Sequence, residues 1–350
     1  MTINMTHQED LDEILDRYEQ YLRASREKVV SDLKKTLATA VLAPYFEQGK
    51  MLRALLVFVA ASATGHEPGN MTMVAAAIEL LHGASLIHDD IADEADERRG
   101  LPALHRRVGI GPAIVLGDYL ILRSFAVLQE LESSCEPCNV LAALHKLNDY
   151  ARACCLGEIR ELLPSDQSDP EENYLAIVHG KTASQFAAAT TLPVIVSGGD
   201  VHEIEAMRTY GFHLGIAFQI HDDLLDFIGD ALVLRKPLGT SLVMGRSLLP
   251  LIYLERYGSR AGCKAAQHLL RQIVRSGHAD RMWLLADMGR LLKEERILAR
   301  VTATRDTHVS LALHALDRLN HSQDVNALKT IAAFATRHQS AHTLVGAAAQ

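Results

Sequence analysis

The chain has 350 residues, 48% of them hydrophobic and only 5% aromatic, with a formal net charge of −8. That length admits one large domain or two small ones, and an acidic balance with no basic tract speaks against nucleic acid as a partner. Abundant Ala and Leu with few aromatics favour tightly packed helices over strands, which are richer in Val, Ile, Thr and aromatic residues.

In chain order, Met1–Asp10 is polar and acidic and leads into no apolar core of the kind a secretory leader carries. Residues 1–20 are expected to form an N-terminal helix, because Leu11, Ile14, Leu15, Tyr18, Tyr21 and Leu22 follow helical spacing. Leu52–Ala63 is apolar nearly all round, as a buried helix is. Its run from Ala54 to Ala63 is too short to cross a bilayer, so a cytoplasmic protein with no membrane span is expected. Met73–His88 reads as a second long apolar helix, and Pro102, Gly109, Gly111 and Pro112 break the chain before a helix from Ala113 to Glu132. Leu163–Asn173 reads as a loop, Tyr174–Ala189 as a helix and Ile204–Asp226 as a long helix. Gly229–Pro250, punctuated by Pro237, Gly239 and Gly245, reads as a polar lid; helices resume at Leu251 and continue to Ala335, and residues 339–350 are expected to fray. With no strand alternation, repeat or linker, the economical reading is one all-α domain over residues 1–350.

Five cysteines, an odd number, predict free thiols. Cys135-Glu136-Pro137-Cys138 is a C-x-x-C pattern, but a zinc site needs two more ligands at workable spacing, so it reads as a polar loop broken by Pro137. Cys154 and Cys155 are adjacent and are expected on different helix faces.

The most informative features are two acidic clusters, His88-Asp89-Asp90-Ile91-Ala92-Asp93 and His221-Asp222-Asp223-Leu224-Leu225-Asp226. Each places carboxylates at i, i+1 and i+4 after an apolar helical stretch, so the first and last Asp share a helix face. Carboxylates crowded at one cleft repel and raise one another's pKa. A hard divalent cation removes the conflict, and Mg²⁺ characteristically bridges carboxylates to a substrate phosphate. The pair is therefore read as a Mg²⁺–diphosphate site, with two solvated helix ends as the bland alternative. His88 and His221 are expected to donate hydrogen bonds that orient the carboxylates rather than to bind metal.

These blocks resemble the trans-isoprenyl diphosphate synthase family. Leu86 to Gly100 looks like the first aspartate-rich motif and Phe218 to Asp226 like the second. Gly49-Lys50-Met51-Leu52-Arg53 resembles the N-terminal GGKRLR segment, and Glu79-Leu80-Leu81-His82, Gly180-Lys181-Thr182-Ala183 and Lys236-Pro237-Leu238-Gly239 match further blocks in order. The resemblance implies a bundle of long helices around a deep central cavity, usually dimeric. It also implies head-to-tail prenyl transfer, in which an allylic diphosphate ionises, the carbocation alkylates isopentenyl diphosphate and a proton is lost. Such chemistry needs Mg²⁺ and basic groups for the leaving diphosphate and a dry cavity for the cation.

Carried over by resemblance, Asp89 and Asp93 hold two Mg²⁺ ions, and Asp222 leads a third site with Asp226 nearby. Asp90 and Asp223 support them. Arg98, Lys181 and Lys236 contact the allylic diphosphate, while Lys50, Arg53, His82 and Arg99 bind isopentenyl diphosphate. Lys181, Thr182 and Gln219 place oxygens near the cation. The plain alternatives are that Lys50 and Arg53 cap a helix C-terminus, that Arg98 and Arg99 neutralise Glu94, Asp96 and Glu97, and that His82 is a core histidine. The chain departs from the family pattern at Gln48, Met51, Ser241 and Arg246. Ala84 and Ser85, five and four positions before Asp89, are small where bulky residues would floor the cavity, so the resemblance implies products of C20 or longer. Rival readings are a class I terpene cyclase, disfavoured by the second Asp-Asp-x-x-Asp and by Lys50, Arg53 and His82, and a weakly active or regulatory subunit of a heteromeric synthase.

Overall fold

The computed structural model describes residues 2–34, 39–47, 51–98, 100–163, 169–229, 238–319 and 322–337. Lys50, Arg99 and Lys236, the departure at Gln48 and the tail at 339–350 lie outside the described residues. The architecture is all-α: α1 (Thr2–Lys34), α2 (Thr39–Glu47), α3 (Leu52–Ala63), α4 (Thr72–Ala92), α5 (Leu104–Val108), α6 (Ile110–Gln129), α7 (Pro137–Leu162), α8 (Pro170–Val178), α9 (Ser184–Val196) and α10 (Val201–Ile228). Further helices span Leu249–Tyr257, Arg260–Arg275, His278–Glu294, Ile297–Ala315 and Gln323–Arg337. Among the described residues the only strands are Glu97–Arg98 and Leu101–Pro102, an antiparallel pair directly after α4.

The N-terminal helix runs well past residue 20, because the apolar stripe of Leu11, Ile14, Tyr18 and Leu22 continues through Val29 and Leu33, all buried. Ser25 sits in that stripe with its hydroxyl donating to the Leu22 carbonyl, which satisfies it locally. α6 starts at Ile110, three residues before the expected Ala113; Pro112 falls in the first turn, where its missing N–H costs nothing. The loop expected to reach Asn173 ends at Asp169, whose carboxylate accepts from the Glu171 and Glu172 amides ahead of Pro170 at the first helical position. The single helix expected over Tyr174–Ala189 is instead α8, a wide π-type turn at His179–Ala183, and α9. α10 begins in a capping box between Asp200 and Glu203.

Every residue of α9 is buried, and it packs against α3, α4, α7 and α10, so it is the spine of the bundle. α10 joins two hydrophobic clusters: Met207, Tyr210 and Leu214 belong to the first, and Ile216, Ile220 and Leu224 to the second. The apolar run at Ala54–Ala63 is not the longest in the chain. Pro68–Ala92 and Ile110–Ser133 are each long and apolar enough, by length and composition alone, to cross a membrane. The first is enclosed by α1, α3, α6 and α9, whereas α6 leaves Ile110, Ile114, Val115 and Leu122 exposed.

Candidate active site

Asp89 and Asp90 occupy the last turn of α4 and Asp93 is its C-cap; Asp222, Asp223 and Asp226 close α10. Anions are disfavoured at a helix C-terminus, where the macrodipole is negative. Two acidic sets at two C-termini therefore need compensation from elsewhere, which a pair of solvated helix ends would not.

Three cations supply it for the first set. Arg98, on the short hairpin turned by Gly100 at φ 75°, donates through Nε to Asp90 Oδ1 at 2.8 Å and lies 3.8 Å from Asp89 Oδ2. Asp90 is only 3% exposed; burial pushes its carboxyl up against the opposing pull of Arg98. Arg98 thus pairs with the motif itself rather than with Glu94, Asp96 or Glu97. Lys181 reaches Asp89 Oδ1 at 3.0 Å, and Arg246 Nη2 lies 3.2 Å from the same oxygen and ion-pairs with Asp93. Burial opposes ionisation of Asp89, but Lys181 and Arg246 overcome it and hold the carboxyl below its ordinary value. Asp93 goes the other way, raised by burial and by the charge on Asp89.

Lys181 is placed by backbone contact. A Cβ at Gly157 would lie 2.7 Å from the Lys181 amide nitrogen, and one at Gly180 would lie 2.6 Å from the Ala153 carbonyl oxygen, so α7 and the wide turn touch through two glycines. This approach sets the Lys181 ammonium against Glu158 and Glu161, one turn apart on α7. Ligand oxygens of Asp89, Glu158 and Glu161 lie within 4.8 Å of one another, and Glu158 Oε1 is buried with no hydrogen-bond partner. Burial opposes the charges on Lys181 and Arg246, yet the surrounding carboxylates raise both above their ordinary values. Glu158 and Glu161 escaped the sequence reading; a Glu-x-x-Glu pair on one helix face was their signal.

The second set is organised differently. Asp223 accepts from Gln219 Nε2 at 3.1 Å and from the Leu249 amide at 3.2 Å, and burial pushes its carboxyl up to about 7. Buried Tyr174 lies beside it, its phenol raised by burial and by the Asp223 carboxylate. Thr182 Oγ1 donates to Gln219 Oε1 at 2.9 Å, so Thr182, Gln219 and Asp223 form one hydrogen-bonded relay. Asp226 is 2% exposed while Asp222 is partly open. Asp90 and Asp223 are tied up as buried acceptors, and among the described residues the close donor group is Asp89 with Glu158 and Glu161. Nor does His88 orient a motif carboxylate: its Nε2 lies 3.3 Å from the Ile114 carbonyl oxygen and 3.5 Å from Asp118 on α6.

Arg53 and His82 meet across α3 and α4, with ring and guanidinium nitrogens 3.3 Å apart, and Arg53 lies 5.0 Å over the Phe186 ring. Phe186 in turn packs on Phe218 with centroids 5.2 Å apart. Arg53 stands in the first turn of α3, not at a helix C-terminus, so the capping alternative does not hold for it. Met51 enters α3 at φ 53°, a conformation bulky residues rarely adopt, and is buried. Ser85 is half-buried at the site, whereas Ala84 is fully enclosed. The five cysteines are free; Cys154 is partly buried beside the site and Cys155 is exposed.

Residues 34–286 match the polyprenyl synthetase family. A short chain isoprenyl diphosphate synthase of Methanothermobacter thermautotrophicus is 34% identical over 92% of this chain and 98% of its own length. Heptaprenyl diphosphate synthase component 2 of Geobacillus stearothermophilus is 32% identical over 82% of this chain and 85% of its own length. Among solved structures, a polyprenyl synthase from Caulobacter crescentus complexed with calcium and isoprenyl diphosphate superposes with a TM-score of 0.80 at 28% identity, covering 94% of this chain and 98% of that one. The chain belongs to the trans-isoprenyl (polyprenyl) diphosphate synthase family and is a prenyltransferase of the all-α isoprenoid synthase fold.

Proposed function

We propose that this enzyme condenses isopentenyl diphosphate with an allylic diphosphate in a Mg²⁺-dependent reaction and releases an all-trans product of C20 or longer. The observation that carries the reading is the convergence of Asp89, Glu158 and Glu161 with Lys181 and Arg246, beside the Thr182–Gln219 pair. The donor set fits Mg²⁺: all ligand atoms are hard carboxylate oxygens, and Glu158 Oε1 is a buried acceptor without a donor. Asp89, Asp93, Glu158 and Glu161 would hold it, with Asp222 and Asp226 at a further position; when bound, it neutralises charge developing on the departing diphosphate.

The chain's own residues carry the rest of the scheme. Lys181, Arg246 and Arg98 already crowd the first motif and exchange carboxylate partners for phosphate oxygens. Arg53 and His82 bind the isopentenyl diphosphate head, with Lys50, Arg99 and Lys236 assigned to the diphosphates by resemblance. The Thr182 hydroxyl and Gln219 amide oxygen stand near the nascent cation. The faces of Phe186 and Phe218 provide an apolar, π-rich wall that excludes water. The Arg246 departure keeps a cation on Asp89 and Asp93, which supports a self-sufficient enzyme over a regulatory subunit. The exposed apolar side of α6, with Ile110, Ile114, Val115 and Leu122, is assigned to a homodimer contact.

The test is incubation of the purified protein with Mg²⁺, labelled isopentenyl diphosphate and C5, C10, C15 or C20 allylic diphosphates, with products dephosphorylated and sized. Elongated alcohols past C15 are expected. Diphosphate release without elongation would move the assignment to a cyclase, and turnover only after adding a second prenyltransferase-like chain would move it to a heteromer.

A further inference from the structure

We infer that Gln185 is a specificity-determining residue for product length, the centre of a polar brace that crosses the hydrocarbon path one turn below Asp89; the inference rests on the prenyl-transfer reading above. Ser85 precedes Asp89 by four residues on α4, so it lies on the same face about one helical turn further from the acidic motif. Gln185 follows Lys181 by four residues and is the second residue of α9. Its Nε2 donates to Ser85 Oγ at 3.2 Å and to Cys154 Sγ at 3.3 Å. The Ser85 hydroxyl in turn donates to the His82 carbonyl at 2.8 Å, and the Cys154 thiol donates to the Lys181 carbonyl at 3.8 Å. One amide therefore ties α4, α7 and α9 together at a single level.

That level is where an apolar tail would descend. The diphosphate end of the site is marked by Asp89, one turn further along α4, and by Lys181, in the wide turn that leads into α9. Gln185 is 6% exposed, and its Oε1 is buried with no hydrogen-bond partner. A buried amide with an unmade bond is costly, and a structure that retains one needs a reason. An all-apolar residue of the same volume would pack α9 without leaving an acceptor unpaired. What the amide adds is a cross-tie that each passing isoprene unit has to part, with no polar group on the tail to compensate the freed N–H groups. Growth then slows when the chain reaches Gln185, although Ser85 and Ala84 are small.

The experiment compares product distributions of wild type, Gln185→Leu and Ser85→Ala with one primer under matched turnover, alongside thermal midpoints. Gln185→Leu keeps the volume and removes the tie; the modal product is expected to lengthen by at least one C5 unit, with KM for isopentenyl diphosphate little changed. Ser85→Ala removes one strand of the brace and is expected to shift the distribution the same way by less; it decides the question alone if Gln185→Leu does not fold. An unchanged distribution, at full or reduced turnover, would overturn the inference and leave Gln185 as a helix tie. Absence of any elongated product from wild type would instead overturn the prenyl-transfer reading.

Discussion

Arg246 lies across both ends of the first acidic motif, its Nη2 3.2 Å from Asp89 and ion-paired with Asp93. The two carboxylates face each other within one turn, so this single guanidinium relieves a repulsion built into the motif. Arg246→Ala should lower kcat/KM for the allylic diphosphate by roughly 10- to 100-fold, the worth of a charge-assisted contact. Arg246→Lys should recover most of it. Steady-state kinetics across the three proteins checks this, and a variant with KM and kcat both unchanged would remove Arg246 from the site.

The Gly157–Gly180 contact leaves no room for a methyl group. Gly180→Ala should cost about 1–3 kcal/mol through overpacking and should lower activity as well, because Lys181 moves with it. Gly69, in the short turn Pro68–Met71, meets only ordinary van der Waals contacts, at 3.5 and 3.6 Å, at its added Cβ. Gly69→Ala should therefore be neutral or slightly stabilising. Denaturant midpoints for the two variants make the comparison.

Stability should depend on acid through the His213–His308 pair, whose Nδ1 atoms are 3.0 Å apart between α10 and the Ile297–Ala315 helix. Burial, then the neighbouring His213, lowers the His308 imidazole to about 4 from its ordinary 6.5. The unfolded imidazole therefore takes up a proton near pH 6.5 while the folded one resists. The contribution is complete above that pH and is lost as pH falls toward 4. His308→Gln should flatten the change in Tm across this window, and parallel melts at pH 7 and pH 5 measure it.

Chain length offers a steric test. Ser85 is half-buried at the site, so Ser85→Phe should shorten the product while keeping the fold. Ala84 is fully enclosed, so Ala84→Phe should shorten it too but at a cost in stability of about 1–3 kcal/mol. Sizing the alcohols from each variant checks both; products as long as those of wild type would remove this level from the cavity floor.

On the surface, Leu122 is 69% exposed on α6 beside Val115. Leu122→Asp should convert a dimer to a monomer without changing helix content. Light scattering coupled to size exclusion decides it, and a wild type that is monomeric at micromolar concentration would dismiss the interface.

Much of the site could be read from the chain because its chemistry is local. Asp89 to Asp93 and Asp222 to Asp226 each lie within one helical turn, and spacing alone puts their ends on one face. Thr182 and Gln219 were visible through their motifs, and the structure brings them to 2.9 Å. What escaped depends on where helices cross. Glu158 and Glu161 look like ordinary surface acids on α7 until Gly157 and Gly180 bring Lys181 against them. Arg246 registered only as a departure from pattern, because its partners stand more than 150 residues earlier in the chain. The burial of Asp90 and Asp223 was equally hidden: each is set apart from its motif neighbours by a donor beyond the end of its own helix, Arg98 on the hairpin eight residues on and the Leu249 amide.

The wide turn at His179–Ala183 also bears on how this chain can vary. One extra residue in a turn offsets everything downstream by about 100° around the axis. Because α9 is buried along its whole length, that offset fixes which side chains meet α4 and which meet α7. A one-residue deletion here would rephase Gln185 and Phe186 together while leaving their identities untouched. Residue count in this stretch is thus as much a determinant of activity as residue type.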